Sequence, residues 1–218
     1  MVLEKTEEGW DVMIKNIIFD MGKVLVYYDS YRAARQFAAD EAEMEAVNTS
    51  VFVSPEWIML DMGVISEEEA LKRMQARLPK GHAREAARLC MEHWHEYCMW
   101  PVPGMEELIG FLKEHGYGIY LCSNAALRLL DCYLEVIPGI RQFDGVLFSA
   151  EEKCMKPQKE MYHHLFERFH LKPEECFFID DQLLNIEGAR ACGMDGYCFS
   201  EGTAEDLKRV LVEILHIR

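Results

Sequence analysis

Five short apolar runs, each closed by a polar residue, limit this 218-residue chain more than any other feature in it. They are residues 14–19 before Asp20, 118–122 before Ser123, 145–148 before Ser149, 176–179 before Asp180 and 196–199 before Ser200. Their hydrophobicity is continuous rather than alternating, which suits strands covered on both faces, as in a parallel sheet. Helical patterns separate the later runs. Pro103-Gly104 opens a helix with Leu108, Phe111 and Leu112 inward, and Gly116 closes it. Residues 158–169 and 185–192 read as two more. The last helix sets Leu207, Val210, Leu211 and Ile214 on one face. Strand and helix alternating from about residue 100 predict an α/β fold with a doubly wound parallel sheet.

Residues 30–99 break that alternation. They contain no convincing strand and several helical signatures, including Ser66-Glu67-Glu68-Glu69, which reads as a capping box. No Pro/Gly/Ser linker and no internal repeat intervenes. The stretch is therefore expected to be an all-α subdomain, a helical cap, inserted at 30–99 into an α/β core formed by 1–29 and 100–218.

Composition narrows the possible partners. Thirty-eight Asp and Glu against 23 Lys and Arg give a net charge of −15, which repels nucleic acid and anionic membranes alike. An anionic ligand must then be held by a few local cations. The eight cysteines include no CxxC pair, and several sit inside apolar runs, as reduced core thiols do. The first twelve residues carry four acids and no apolar stretch, unlike a secretory signal, and no run reaches the ~18 apolar residues of a membrane span. The expectation is a cytoplasmic protein, monomer or homodimer, in which the segment before Met13, where the first strand opens, reads as a dispensable extension.

In an open α/β sheet, ligands bind beyond the carboxyl ends of the strands. That edge should collect Asp20, Ser123 with Asn124, and Asp180 with Asp181. Lys156, before Pro157 at a loop-to-helix entry, is placed to reach it too. Phosphoryl transfer calls for such a set: a carboxylate nucleophile, a hydroxyl and a cation for the phosphoryl oxygens, and an acidic pair for a divalent metal. Carboxylates with backbone oxygen and water suit Mg²⁺. Asp180-Asp181 taken alone could cap the next helix, but two like charges at a buried strand end require a cation. His93 and His95 in the helical stretch lie on different helix faces, which disfavours a zinc site. The aromatic and Met residues there (Trp57, Met59, Met62, Trp94, Trp100) read as core, with one or two left to line a substrate pocket.

Four segments then resemble, in order, the four motifs of the haloacid dehalogenase superfamily. They are Asp20-Met21-Gly22-Lys23-Val24-Leu25; Leu121-Cys122-Ser123-Asn124; Lys156-Pro157 with Tyr162; and Phe178-Ile179-Asp180-Asp181 with Asn185-Ile186-Glu187-Gly188-Ala189-Arg190 and Gly193. The resemblance implies that Asp20 is a nucleophile and Mg²⁺ ligand, joined by the Gly22 carbonyl, Asp180 and Asp181. Ser123 and Lys156 would grip the phosphoryl group, Asn124 would orient substrate, and Asn185 would brace the acidic loop. Most phosphatases of this superfamily carry a second Asp two residues after the nucleophile as general acid and base, where this chain has Gly22. The first motif is nearest to the Asp-x-Gly-Asn-Val subgroup, which includes sugar-phosphate phosphatases, with Lys23 in place of its Asn. A missing acid costs about 10²–10⁴-fold, which predicts slow turnover or a preference for good leaving groups. The expected activity is Mg²⁺-dependent release of phosphate from a small phosphorylated metabolite, such as a sugar phosphate. A metal-independent haloacid dehalogenase, a phosphomutase and a catalytically weak binding or regulatory protein are the competing readings. The acidic pair speaks against the dehalogenase, and Gly22 speaks against the mutase.

Overall fold

In the computed structural model, which describes residues 13–217, a five-stranded parallel sheet carries the chain's central buried layer. The strands of this sheet are β1 (Asn16–Phe19), β4 (Gly118–Ser123), β5 (Gly145–Phe148), β6 (Cys176–Asp180) and β7 (Asp195–Cys198), in the order β5-β4-β1-β6-β7. Each corresponds to one of the apolar runs. β1 sits in the middle because its residues Ile17, Ile18 and Phe19 are wholly buried, with parallel neighbours on both sides. A second sheet of two short antiparallel strands, β2 (Val26–Tyr28) and β3 (Met99–Pro101), brackets the helical stretch. Neither strand is evident in the sequence, since three residues are too few to show a period.

Between β2 and β3 run five helices: α1 (Ser30–Phe37), α2 (Glu41–Val51), α3 (Pro55–Asp61), α4 (Glu67–Ala76) and α5 (His82–Tyr97). α5 is the longest and packs on α1, α2 and α4. The remaining helices flank the large sheet: α6 (Met105–Glu114), α7 (Leu129–Val136), α8 (Ser149–Glu152), α9 (Lys159–Phe169), α10 (Leu183–Ala191) and α11 (Ala204–Ile214). Leu108 and Leu112 of α6 and Leu207 and Leu211 of α11 face the core as their spacing predicts, whereas Ile214 is exposed at the end of its helix.

Ser66 caps α4 by accepting from the Glu69 N–H at 3.2 Å, but the reciprocal bond of a capping box is missing. The Glu69 carboxylate is instead held by Arg73 at 2.8 Å. The complete capping box lies at Thr203 and Asp206, ahead of α11. All eight cysteines are free thiols, five of them buried. Among the described residues no helix is long and apolar enough to cross a membrane. The expectations for the first twelve residues lie outside the described range.

Candidate active site

Strand register brings the chemistry together. Phe19 pairs with Leu121 on one side and Ile179 on the other, so Asp20, Ser123 and Asp180 all finish at the same edge of the sheet. Asp180 is fully buried, Ser123 is 1% exposed, and Asp20 and Asn185 are nearly as enclosed. Lys156 arrives from the loop between α8 and α9, through a cis Lys156-Pro157 bond. Its Nζ donates to Asp20 Oδ1 and to Asp180 Oδ2, both at 2.7 Å.

Neighbouring amides hold these groups in place. Asn124 clamps the backbone of Lys156: its Oδ1 accepts from the Lys156 N–H at 2.8 Å, and its Nδ2 donates to the Lys156 carbonyl at 3.0 Å. Asn185 Nδ2 donates to both oxygens of Asp180, at 2.9 and 3.0 Å, and the Gln182 N–H donates to Oδ1 at 2.8 Å. The Tyr162 hydroxyl donates to the Asn185 carbonyl at 2.6 Å, fixing the start of α10. Asp181 receives Gln182 Nε2 at 2.7 Å, and the exposed Lys23 ammonium lies 3.5 Å from it.

The electrostatics follow from crowding. Burial, with the Asp180 charge in support, pushes the Asp20 carboxyl up to about 6 despite the Lys156 ammonium beside it. Burial opposes the charge on Lys156, yet the Asp20 and Asp180 carboxylates outweigh it and hold the ammonium well above the usual lysine value. One buried ammonium against three converging carboxylates leaves negative charge in a low-dielectric setting, which is costly unless a cation joins it. Oxygens of Asp20, Asp180 and Asp181 all lie within 4.8 Å of one another. Such a hard oxygen set matches the preferences of Mg²⁺. Among the described residues it is the one grouping of three or more acidic, His or Cys side chains with that geometry. Gly22 lines the same cavity, and its carbonyl accepts none of the backbone hydrogen bonds of this loop.

A cavity of about 280 Å³ opens over this cluster. Asp20, Gly22, Ser123, Lys156 and Asp181 line its floor, all of them residues singled out from the sequence, together with Asn124, Asn185 and Gln182. Its walls are different in character. Trp57 and Trp94, packed edge-to-face at 5.2 Å, join Tyr28, Met99 and Leu129, and Trp94 meets Tyr28 at 6.4 Å. Met59, Met62 and Trp100 are not among its lining residues. One acid on the wall, Asp61 at the end of α3, was not among the residues singled out from the sequence, since it closes no apolar run and belongs to none of the four motifs.

Comparison with known proteins agrees with this architecture. A sesquiterpene phosphatase of Aspergillus oryzae is 25% identical over 87% of this chain and 92% of its own length. A D-ribitol-5-phosphate phosphatase of Bacteroides thetaiotaomicron is 24% identical over 94% and 100%. Among solved structures, a haloacid dehalogenase family enzyme from the same bacterium, in complex with magnesium and inorganic phosphate, superposes with a TM-score of 0.69. It is 22% identical, covering 84% of this chain and 93% of the other. An L-2-haloacid dehalogenase of Xanthobacter autotrophicus superposes at 0.64 with 19% identity, covering 92% and 83%. The sequence pattern of the family itself matches residues 14–193, a span that holds every strand-end residue of the cluster. The chain belongs to the haloacid dehalogenase-like hydrolase family.

Proposed function

We propose that this hydrolase is a Mg²⁺-dependent phosphatase that removes phosphate from a small phosphorylated metabolite through an aspartyl-phosphate on Asp20. The observation that carries the reading is the convergence of Asp20, Asp180 and Asp181 within 4.8 Å, with Lys156 spanning two of them. The phosphatase names of two relatives that match over most of their length support it. Asp20, Asp180, Asp181 and the Gly22 carbonyl would hold the metal. When bound, Mg²⁺ supplies charge neutralisation for the phosphoryl oxygens. Lys156 engages Asp20 through Oδ1, which leaves Oδ2 to attack phosphorus. Ser123 and Lys156 bind the phosphoryl oxygens, and Asn124 positions Lys156 through its backbone. Water then attacks the aspartyl-phosphate, releasing phosphate and restoring Asp20.

The helices between β2 and β3 act as the cap, since they supply Trp57 and Trp94 to the cavity wall. Apart from Asp61 that wall is aromatic and aliphatic, which favours an aryl or prenyl group over a polyol on the far side of the phosphate. The test is phosphate release from a sugar phosphate, a prenyl phosphate and an activated aryl phosphate, with and without Mg²⁺, for the wild type and Asp20→Asn. Release that needs both Mg²⁺ and Asp20 is expected. Phosphate release unchanged in Asp20→Asn would overturn the mechanism. Halide released from a 2-haloacid without metal would favour the dehalogenase reading, and Mg²⁺ binding without any turnover the binding-protein reading.

A further inference from the structure

Gly22 has no side chain to protonate a leaving group, yet a Cβ built there meets nothing within 4 Å. The place where the usual acid of such a loop would stand is open cavity. Among the lining residues, most groups able to move a proton are committed. Asp20 and Lys156 are bonded to each other, Asp181 belongs to the acidic cluster, and Lys23 lies against Asp181 from the solvent side. Burial holds the Tyr28 phenol well above the ordinary tyrosine range. The remaining acid is Asp61, whose carboxyl meets only a backbone N–H, that of Ala126.

Its setting is unusual for a residue kept only for stability. Asp61 is the last residue of α3, where the helix carbonyls disfavour a negative charge. Burial pushes its carboxyl up to about 7, opposed only by the Ala126 N–H, with no cation among its influences. It is also firmly docked. The buried Ser149 hydroxyl donates to the Asp61 carbonyl and accepts from the Ala125 N–H at 2.8 Å. Two residues on, Gly63 sits so close to α8 that a Cβ would come within 2.0 Å of the Ala150 carbonyl oxygen. The helical insertion therefore presents Asp61 to the cavity from a fixed point, while Asp20 enters from the sheet edge. In-line displacement at phosphorus requires the acid on the side away from the nucleophile.

We propose that Asp61 is the general acid and base of the reaction, delivered by the insertion in place of the side chain that Gly22 lacks. As Asp20 attacks, the bond from phosphorus to the ester oxygen breaks, and that oxygen keeps the electron pair and takes the proton of the Asp61 carboxyl. The Asp61 carboxylate then takes a proton from water, whose oxygen attacks phosphorus. The bond to Asp20 breaks, and inorganic phosphate leaves.

The inference rests on the phosphatase reading, and the experiment separates the two. The full-length protein with Mg²⁺ is assayed on an alkyl phosphate and on 4-nitrophenyl phosphate, whose leaving group needs no proton. With Asp61→Asn, kcat/KM for the alkyl ester should fall about 10²-fold or more, while kcat/KM for the aryl ester stays within about threefold of the wild type, since both report the step up to the aspartyl-phosphate. The variant should also release a stoichiometric burst of nitrophenolate, because the second step has lost its base. Gly22→Asp in the Asp61→Asn background should restore the alkyl ester. An equal loss on both esters, or none on the alkyl ester, overturns the proposal while leaving the phosphatase reading intact. No phosphate from either ester with the wild type overturns both.

Discussion

Lys156 carries one ammonium between two carboxylates, and its own position depends on an amide that touches neither. Asn124 spends both ends of its side chain on the Lys156 backbone, where the sequence alone suggests a substrate contact. Asn185 does the corresponding work for Asp180 by donating to both of its oxygens. Partners of metal ligands set ligand orientation, and losing one typically lowers metal affinity by 10–100-fold. Asn185→Ala should therefore weaken Mg²⁺ binding by about that factor, read by calorimetric titration, with the fold intact by circular dichroism. Unchanged affinity would mean that Asp180 needs no brace. Asp20, Ser123, Lys156 and Asp180 were legible because each closes an apolar run or precedes a proline, and Asp181 because it doubles Asp180. Asn124 and Asn185 were legible as members of the site, but how each amide is used depends on a partner 32 residues away in one case and five in the other.

At the scale of elements, the strands were readable to within two residues, because burial on both faces leaves a continuous apolar signature. β2 and β3 were not, and the half-formed box at Ser66 shows why local rules mislead: Glu69 had a better partner in Arg73. Helix α3 carries a cost that its sequence does not announce. The folded Asp61 carboxyl titrates near 7, against 3.8 as its ordinary value. The folded state thus binds the extra proton, and stability is full below pH 4 and lost as pH rises through about 7. Asp61→Asn should remove this slope in the metal-free protein. It should raise stability on the order of 2 kcal/mol at pH 8 and leave it unchanged near pH 4, by urea denaturation. A variant less stable than the wild type at pH 8 would show that the carboxylate is paired.

Over the whole molecule, the acidic balance takes on a local meaning. Residues 30–99 hold 12 acids and 8 bases, net −4 of the −15, so most of the excess lies in the remainder of the chain, with three of its carboxylates in one cluster. A cation that binds only the folded state stabilises it by about 2.7 kcal/mol at a hundredfold excess over its Kd. The melting temperature should rise with Mg²⁺ in the wild type and stay flat in Asp180→Asn; a flat wild type would argue against a metal at this cluster. The sequence by itself determined the parallel core, the order of the motifs and the inventory of the floor, because strand burial and strand ends are local properties written in consecutive residues. Only the tertiary structure decided which side chains of the insertion meet that floor. Asp61 and Trp57 reach the cavity on α3, which docks on Ser149 and Ala150, nearly ninety residues further along the chain, and no pattern within α3 encodes a contact at that separation.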